Sequence, residues 1–167
     1  RAGSARAWGV LRAAGVENVR ILDGGLAAWT TSGGPLDRGD VEPAPGNITV
    51  THQDLYAGAM PTLTADEAAA LGPRLGDVRA PERYRGDVEP IDPIAGHIPG
   101  AINLPSVLAA DGTLRTDGAD VDGVYCGSGV TAAVAVAALA AAGRDVALFP
   151  GSWSQWSNEP GRPVGRA

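Results

Sequence analysis

The sequence predicts an α/β fold, a mainly parallel sheet flanked by helices, preceded by the C-terminal part of a second, incomplete domain of the same kind. Three observations predict it. Short β-branched and apolar runs alternate with alanine-rich helical stretches, the pattern of parallel strands joined by helical crossovers. A glycine-containing loop, Cys126-Gly127-Ser128-Gly129, joins one of these runs directly to a helix. Two stretches also share one grammar, with Gly15 matching Gly143 and Trp29 matching Trp156, an offset of 127 to 128 positions and close to the size of one α/β domain.

In chain order, an alanine-rich helix from Ala7 ends at Gly15. It is followed by an apolar strand Val19–Leu22, a Gly24-Gly25 turn, Leu26 to Trp29, and a Gly33-Gly34-Pro35 exit. Val134 to Val164 repeats the order: a helix ending at Gly143, a strand Val146–Phe149, a Pro150-Gly151 turn, Trp153 to Trp156, and a Gly161-Arg162-Pro163 exit. Tandem duplication accounts for shared order and spacing better than the tendency of any helix-strand-turn unit to look alike. Residues 1–36 are then the C-terminal part of a first domain. Residues 37–46, rich in Pro, Gly and acid, read as a linker, and 47–167 as a whole second domain.

Within that second domain, Ile48 to His52 is a short strand candidate. Thr64 is placed to cap a helix through Leu71, with Glu67 three positions on completing a capping box. Leu75 to Arg79 reads as a strand whose end holds Asp77, Ala101 to Leu104 and Val121 to Tyr125 as further strands, and Gly129 to Ala142 as a helix. In such sheets, sites form at the carboxyl ends of strands, where Cys126 falls.

Composition narrows the functional classes. With 167 residues and 44% apolar content the chain can build a core. Its charge is acidic, 13 Lys+Arg against 19 Asp+Glu, and no basic stretch offers a footprint for nucleic acid. No apolar run approaches the roughly 18 residues of a membrane span and the start lacks a signal-peptide pattern, so no membrane partner and a cytoplasmic location are expected. One cysteine makes no internal disulfide, and with only His52 and His97 it is a poor basis for zinc.

Cys126 is therefore inert or reactive. The glycines of Cys126-Gly127-Ser128-Gly129-Val130-Thr131 let successive N–H groups face inward, an anion nest backed by the positive end of a helix dipole. Cysteines in such settings have a pKa lowered by about one to several units from about 8.5. The same cradle suits a persulfide. Ser128 and Thr131 add hydroxyls, with Thr131 expected to cap the helix. A small buried hydrophobe on an ordinary strand-to-helix turn explains the loop equally well.

Three segments together resemble the rhodanese superfamily, specifically its tandem-domain thiosulfate and 3-mercaptopyruvate sulfurtransferases. They are Asp77-Val78-Arg79-Ala80-Pro81-Glu82-Arg83-Tyr84-Arg85-Gly86, Gly96-His97-Ile98-Pro99-Gly100-Ala101-Ile102-Asn103, and Tyr125 with the cysteine loop. Gly151-Ser152-Trp153-Ser154-Gln155-Trp156 resembles the family's C-terminal signature, and Leu22-Asp23-Gly24-Gly25-Leu26-Ala27-Ala28-Trp29 the end of its inactive N-terminal domain.

The resemblance implies a rhodanese-like fold and a sulfurtransferase in which a small donor passes sulfane sulfur to Cys126 and a thiol or cyanide acceptor removes it. No cofactor is implied beyond the covalent persulfide. Cys126 matches the nucleophile, Gly127, Ser128, Gly129, Val130 and Thr131 the loop that meets the substrate, and Arg83 the substrate-binding arginine, whose fork suits a carboxylate or sulfonate. Asp77 and His97 are expected to be architectural, and Trp153 and Trp156 to be packing groups. A loop without basic side chains leans toward 3-mercaptopyruvate over dianionic thiosulfate.

Three departures matter. A second arginine, expected about nine positions after the first, is here Asp92, which throws carboxylate recognition onto Arg83. The stretch from Asp111 to Asp122 is short for the family. The half-domain missing before Arg1 is expected to complete the cleft. Two rival classes remain: a cysteine phosphatase, which needs an arginine where Ala132 stands, and a non-catalytic rhodanese-like module for binding or regulation.

Overall fold

The computed structural model describes residues 2–105 and 120–167. The helices are α1 (Ala2–Ala13), α2 (Gly25–Thr31), α3 (Ala65–Ala70), α4 (Pro81–Arg85), α5 (Val130–Ala141) and α6 (Ser152–Asn158). The strands are β1 (Leu75–Asp77), β2 (Ile102–Asn103), β3 (Gly123–Tyr125) and β4 (Ala147–Leu148). Among the described residues the strands form one parallel sheet in the order β2-β1-β3-β4.

The sheet is short, with half-buried edge strands β2 and β4 and central strands buried as parallel strands covered on both faces must be. Every residue of β1 and β3 is buried. One apolar cluster joins Leu75, Ile98, Tyr125, Phe149, Trp153 and Trp156. The other joins Val78, Val124, Cys126, Ala132, Val136 and Leu139, with Trp8 and Met60 packed against it. Helix α5 is apolar around most of its circumference because it is covered twice, by the sheet and by α1.

The expected elements of the second domain appear with shorter bounds, whereas the first helix, expected from Ala7 to Gly15, begins earlier and spans Ala2–Ala13. The capping box is present: Thr64 Oγ1 accepts the Glu67 N–H while Glu67 accepts the Thr64 N–H. Two expected strands are not formed. Val19–Leu22 is irregular, and Ile21 and Leu22 stay exposed, with no neighbouring strand to complete their hydrogen bonding among the described residues. Ile48–His52 is also irregular, because the Thr51 and His52 N–H groups donate to the Ala14 carbonyl at the end of α1. Most of the short stretch from Asp111 to Asp122 lies outside the described residues.

All four strands point the same way, so their carboxyl ends gather Asp77, Asn103, Cys126 and the Phe149–Ser152 turn on one edge. That edge holds the candidate site.

Candidate active site

Cys126 follows the last residue of β3 and is 3% exposed. Its backbone is fastened to the turn entering α6. The Cys126 N–H donates to Ser152 Oγ (3.2 Å), whose hydroxyl donates to the Phe149 carbonyl (2.9 Å). Ser152 is fully buried and is the described non-glycine residue with positive φ, 54°, a conformation held only where the surroundings over-determine it.

The loop carbonyls are then consumed one after another. The Cys126 carbonyl accepts the Trp153 N–H (3.0 Å) and the Gly127 carbonyl accepts the Ser154 N–H (2.8 Å). The Ser128 carbonyl accepts from Arg6 Nη1 (2.9 Å), and the Gly129 carbonyl accepts the Ala133 N–H inside the helix (3.2 Å). All the peptides are trans, so each following N–H points away from the carbonyl that precedes it. With their carbonyls occupied in this way, the peptides from Cys126 to Val130 each direct an N–H opposite to its own carbonyl. Main-chain N–H groups of this kind are what an anion nest is built from.

Gly129 caps α5 at φ 75°, and a Cβ there would stand 2.5 Å from the Pro150 carbonyl oxygen. Only glycine fits both demands. Thr131 does not take the capping role expected for it: it lies one residue into α5 and is exposed, and the cap position belongs to Gly129. Ser128 is exposed, while Gly127 and Val130 are half-buried.

Arg83, on α4, reaches the loop. Its Nη1 and Nη2 lie 3.4 and 3.6 Å from where a Cβ on Gly127 would be. It is not a free cation, however. Its Nε and Nη2 donate to Glu89 (3.3 and 2.5 Å), and Asp92 Oδ2 stands 3.7 Å from Nη2. The Asp92 that replaces the expected arginine thus faces Arg83 itself, and its Oδ2 is buried without a hydrogen bond.

Glu89 was not foreseen from the sequence, nor was Arg79. Glu89, with a side chain 3% exposed, bridges the two arginines. Burial pushes its carboxyl up, but the Arg83 hydrogen bond and the N–H groups of Ile91 and Asp92 outweigh burial and hold it below the usual range. Arg79 is locked by Asp77 (2.6 Å), the Gly96 carbonyl (2.6 Å) and the face of Trp153, 4.7 Å from its Cζ. Burial opposes its charge, and Asp77 overcomes this, leaving the guanidinium more basic than usual. The only signal for Glu89 in the sequence was its place in an acidic segment beside Arg83.

His97 is stacked on Tyr84 at 3.9 Å and its Nδ1 pairs with the Tyr84 carbonyl, while its backbone pairs with Gly165. Trp153 and Trp156 are buried, their Nε1 atoms donating to the Ile94 and Pro163 carbonyls.

Comparison with known proteins decides the family: the rhodanese-like domain profile matches residues 61–159. The chain belongs to the rhodanese family. Among relatives, SseB of Mycobacterium tuberculosis (strain H37Rv), a protein named for thiosulfate sulfurtransferase activity, is 62% identical across 99% of this chain and 64% of its own length. The 3-mercaptopyruvate sulfurtransferase of Escherichia coli (strain K12) is 35% identical across 95% of this chain and 62% of its own. The rhodanese-like chain thus spans less than two thirds of the length of these relatives. Among solved structures, wild-type EanB superimposes with a TM-score of 0.81 at 25% identity, covering 100% of this chain and 45% of EanB. A persulfide-bearing form of EanB with ergothioneine gives 0.79 at 25%, covering 99% and 46%.

Proposed function

We propose that this rhodanese domain is the catalytic part of a sulfurtransferase that carries sulfane sulfur as a persulfide on Cys126. The Cys126 thiolate attacks the outer sulfur of a small donor. The bond from that sulfur to the rest of the donor breaks, its electron pair leaves with the remainder, and the cysteine holds an S–S⁻ group. A thiol or cyanide acceptor then attacks the outer sulfur, forming a new persulfide or thiocyanate and returning the thiolate.

The observation that carries the reading is the outward latching of the Cys126, Gly127 and Ser128 carbonyls, which leaves main-chain donors for a sulfur-borne negative charge. Two named sulfurtransferases among the relatives and a persulfide form of a structural neighbour support it. Arg83, beside Gly127, is the donor-binding cation in this reading. With Glu89 and Asp92 already balancing it, a singly charged donor such as 3-mercaptopyruvate suits the site better than dianionic thiosulfate. A nucleophilic thiol of this kind is at home in a reducing compartment, in keeping with a cytoplasmic setting.

The test is intact mass after incubation with each donor. A gain of one sulfur atom, removed by cyanide and absent in Cys126→Ser, is expected. The 3% exposure of Cys126 favours the other reading, a non-catalytic module, and no adduct with either donor would establish that one instead.

A further inference from the structure

We propose that Arg6, on the helix contributed by the N-terminal segment, is a positioning residue for the cysteine loop, holding the Ser128–Gly129 peptide with its carbonyl outward. The proposal rests on the reading of that loop as the sulfur-carrying cradle, and adds a control point outside the second domain.

The three peptides of the cradle that precede the helix are not fixed in the same way. The Cys126 and Gly127 carbonyls are taken by backbone N–H groups of Trp153 and Ser154, which belong to the same domain. The Ser128 carbonyl is taken by a side chain 122 residues away, Arg6 Nη1 at 2.9 Å. Two features ease rotation of this peptide. Ser128 is exposed, and Gly129 at φ 75° carries no Cβ to resist rotation. Turning it would replace an N–H with a carbonyl oxygen on the side that receives a sulfur anion, exchanging attraction for repulsion.

Arg6 is brought to the loop by packing. Ala5 and Ala13 of α1 are buried, Trp8 packs on the cluster that includes Cys126, and α1 lies along α5. Arg6 lines a largely apolar cavity with Val10, Met60, Leu148 and Pro150, and its Nη1 reaches the Ser128 carbonyl and comes within 3.1 Å of where a Cβ on Gly129 would be. A guanidinium there supplies a charge-assisted hydrogen bond and a positive charge behind the loop.

The experiment compares Arg6→Met, which keeps the apolar stem and loses the donor, with Arg6→Lys, which keeps a cation, and with Arg12→Ala on the same helix. Two rates are read: alkylation of Cys126 by iodoacetamide at pH 7, and steady-state sulfur transfer. Loss of one direct donor to a developing anion costs about a hundredfold or more. A latch acting through one peptide is therefore expected to cost about tenfold in alkylation rate and in kcat, with donor KM within about twofold. Arg6→Lys should recover most of the loss and Arg12→Ala should match the parent.

Equal alkylation rates in Arg6→Met and the parent would overturn the proposal, as would a loss that Arg6→Lys does not recover. If the parent takes up no sulfur, the sulfurtransferase reading fails while the alkylation comparison still decides the role of Arg6.

Discussion

Glu89 grips Arg83 at 2.5 Å and, through its other oxygen, reaches Arg79 at 3.3 Å. One nearly buried carboxylate therefore joins the arginine that lies over the cysteine loop to the arginine built into the strand edge. The orientation of Arg83 toward Gly127 is set from behind, by a residue whose hydrogen bonds among the described residues go to Arg79, Arg83, Ile91 and Asp92 and not to the cysteine loop.

Replacing Glu89 with Gln puts an amide N–H₂ among guanidinium donors. Glu89→Gln is expected to destabilise the fold by about 1 to 3 kcal/mol and to raise donor KM severalfold as Arg83 loses its anchor. Urea unfolding and steady-state kinetics check both, with exposed Glu82→Gln expected to stay within about 0.5 kcal/mol of the parent. Unchanged KM in Glu89→Gln would separate Arg83's orientation from donor binding.

The acid limb of stability should carry the same signature. The Glu89 carboxyl is held below its ordinary range in the folded state, so its contribution is present above the unfolded value of about 4.3. It is lost as pH falls through the lower folded value. Melting temperature measured from pH 7 to 3 should therefore hold near neutrality and decline below about pH 4. Glu89→Gln, lacking the titrating group, should lose less over that interval, and parallel curves would count against this assignment.

Ser152 holds the cysteine's own peptide. Ser152→Ala removes the acceptor for the Cys126 N–H and the donor to Phe149, leaving both buried groups unpaired at a cost of about 1 to 3 kcal/mol. The positive φ strains alanine as it does serine, so the change isolates the hydroxyl. A urea midpoint shifted downward with unchanged slope is the expected result; an unmoved midpoint would mean that the hydroxyl is replaceable.

Donor charge can be tested at Ser128. This residue is exposed, so Ser128→Lys should cost little stability while adding a cation at the mouth of the loop. The ratio of kcat/KM for thiosulfate over 3-mercaptopyruvate is expected to rise severalfold. The equivalent change at Gly127 should behave differently, because a side chain there meets Arg83 at 3.4 Å and displaces a like charge. If Ser128→Lys leaves the ratio flat, local charge does not set donor preference.

Local signals were legible in the sequence wherever short-range physics produces them. The capping box at Thr64 and Glu67, the run from β3 through Cys126 into α5, and the placement of that cysteine at a strand's carboxyl end all follow from spacing and turn chemistry. Strand formation at Val19–Leu22 and Ile48–His52 was not decidable there. An apolar run becomes a strand only when a neighbour completes its hydrogen bonds, and at Thr51 the end of α1 supplies the acceptor instead.

By itself, then, the sequence carried the motifs that resemble the family, and it determined the run from β3 through the loop into α5, because glycine at a left-handed cap and alternating strand and helix are local necessities. Tertiary structure alone decided what surrounds that loop. Arg6, Glu89 and Ser152 stand far from Cys126 in the chain, and only the folded chain, with α1 packed on α5, brings their polar atoms to the cradle or to the arginine above it. Hydrogen bonds between distant residues depend on angles and distances of a few ångströms, which no pattern of spacing encodes.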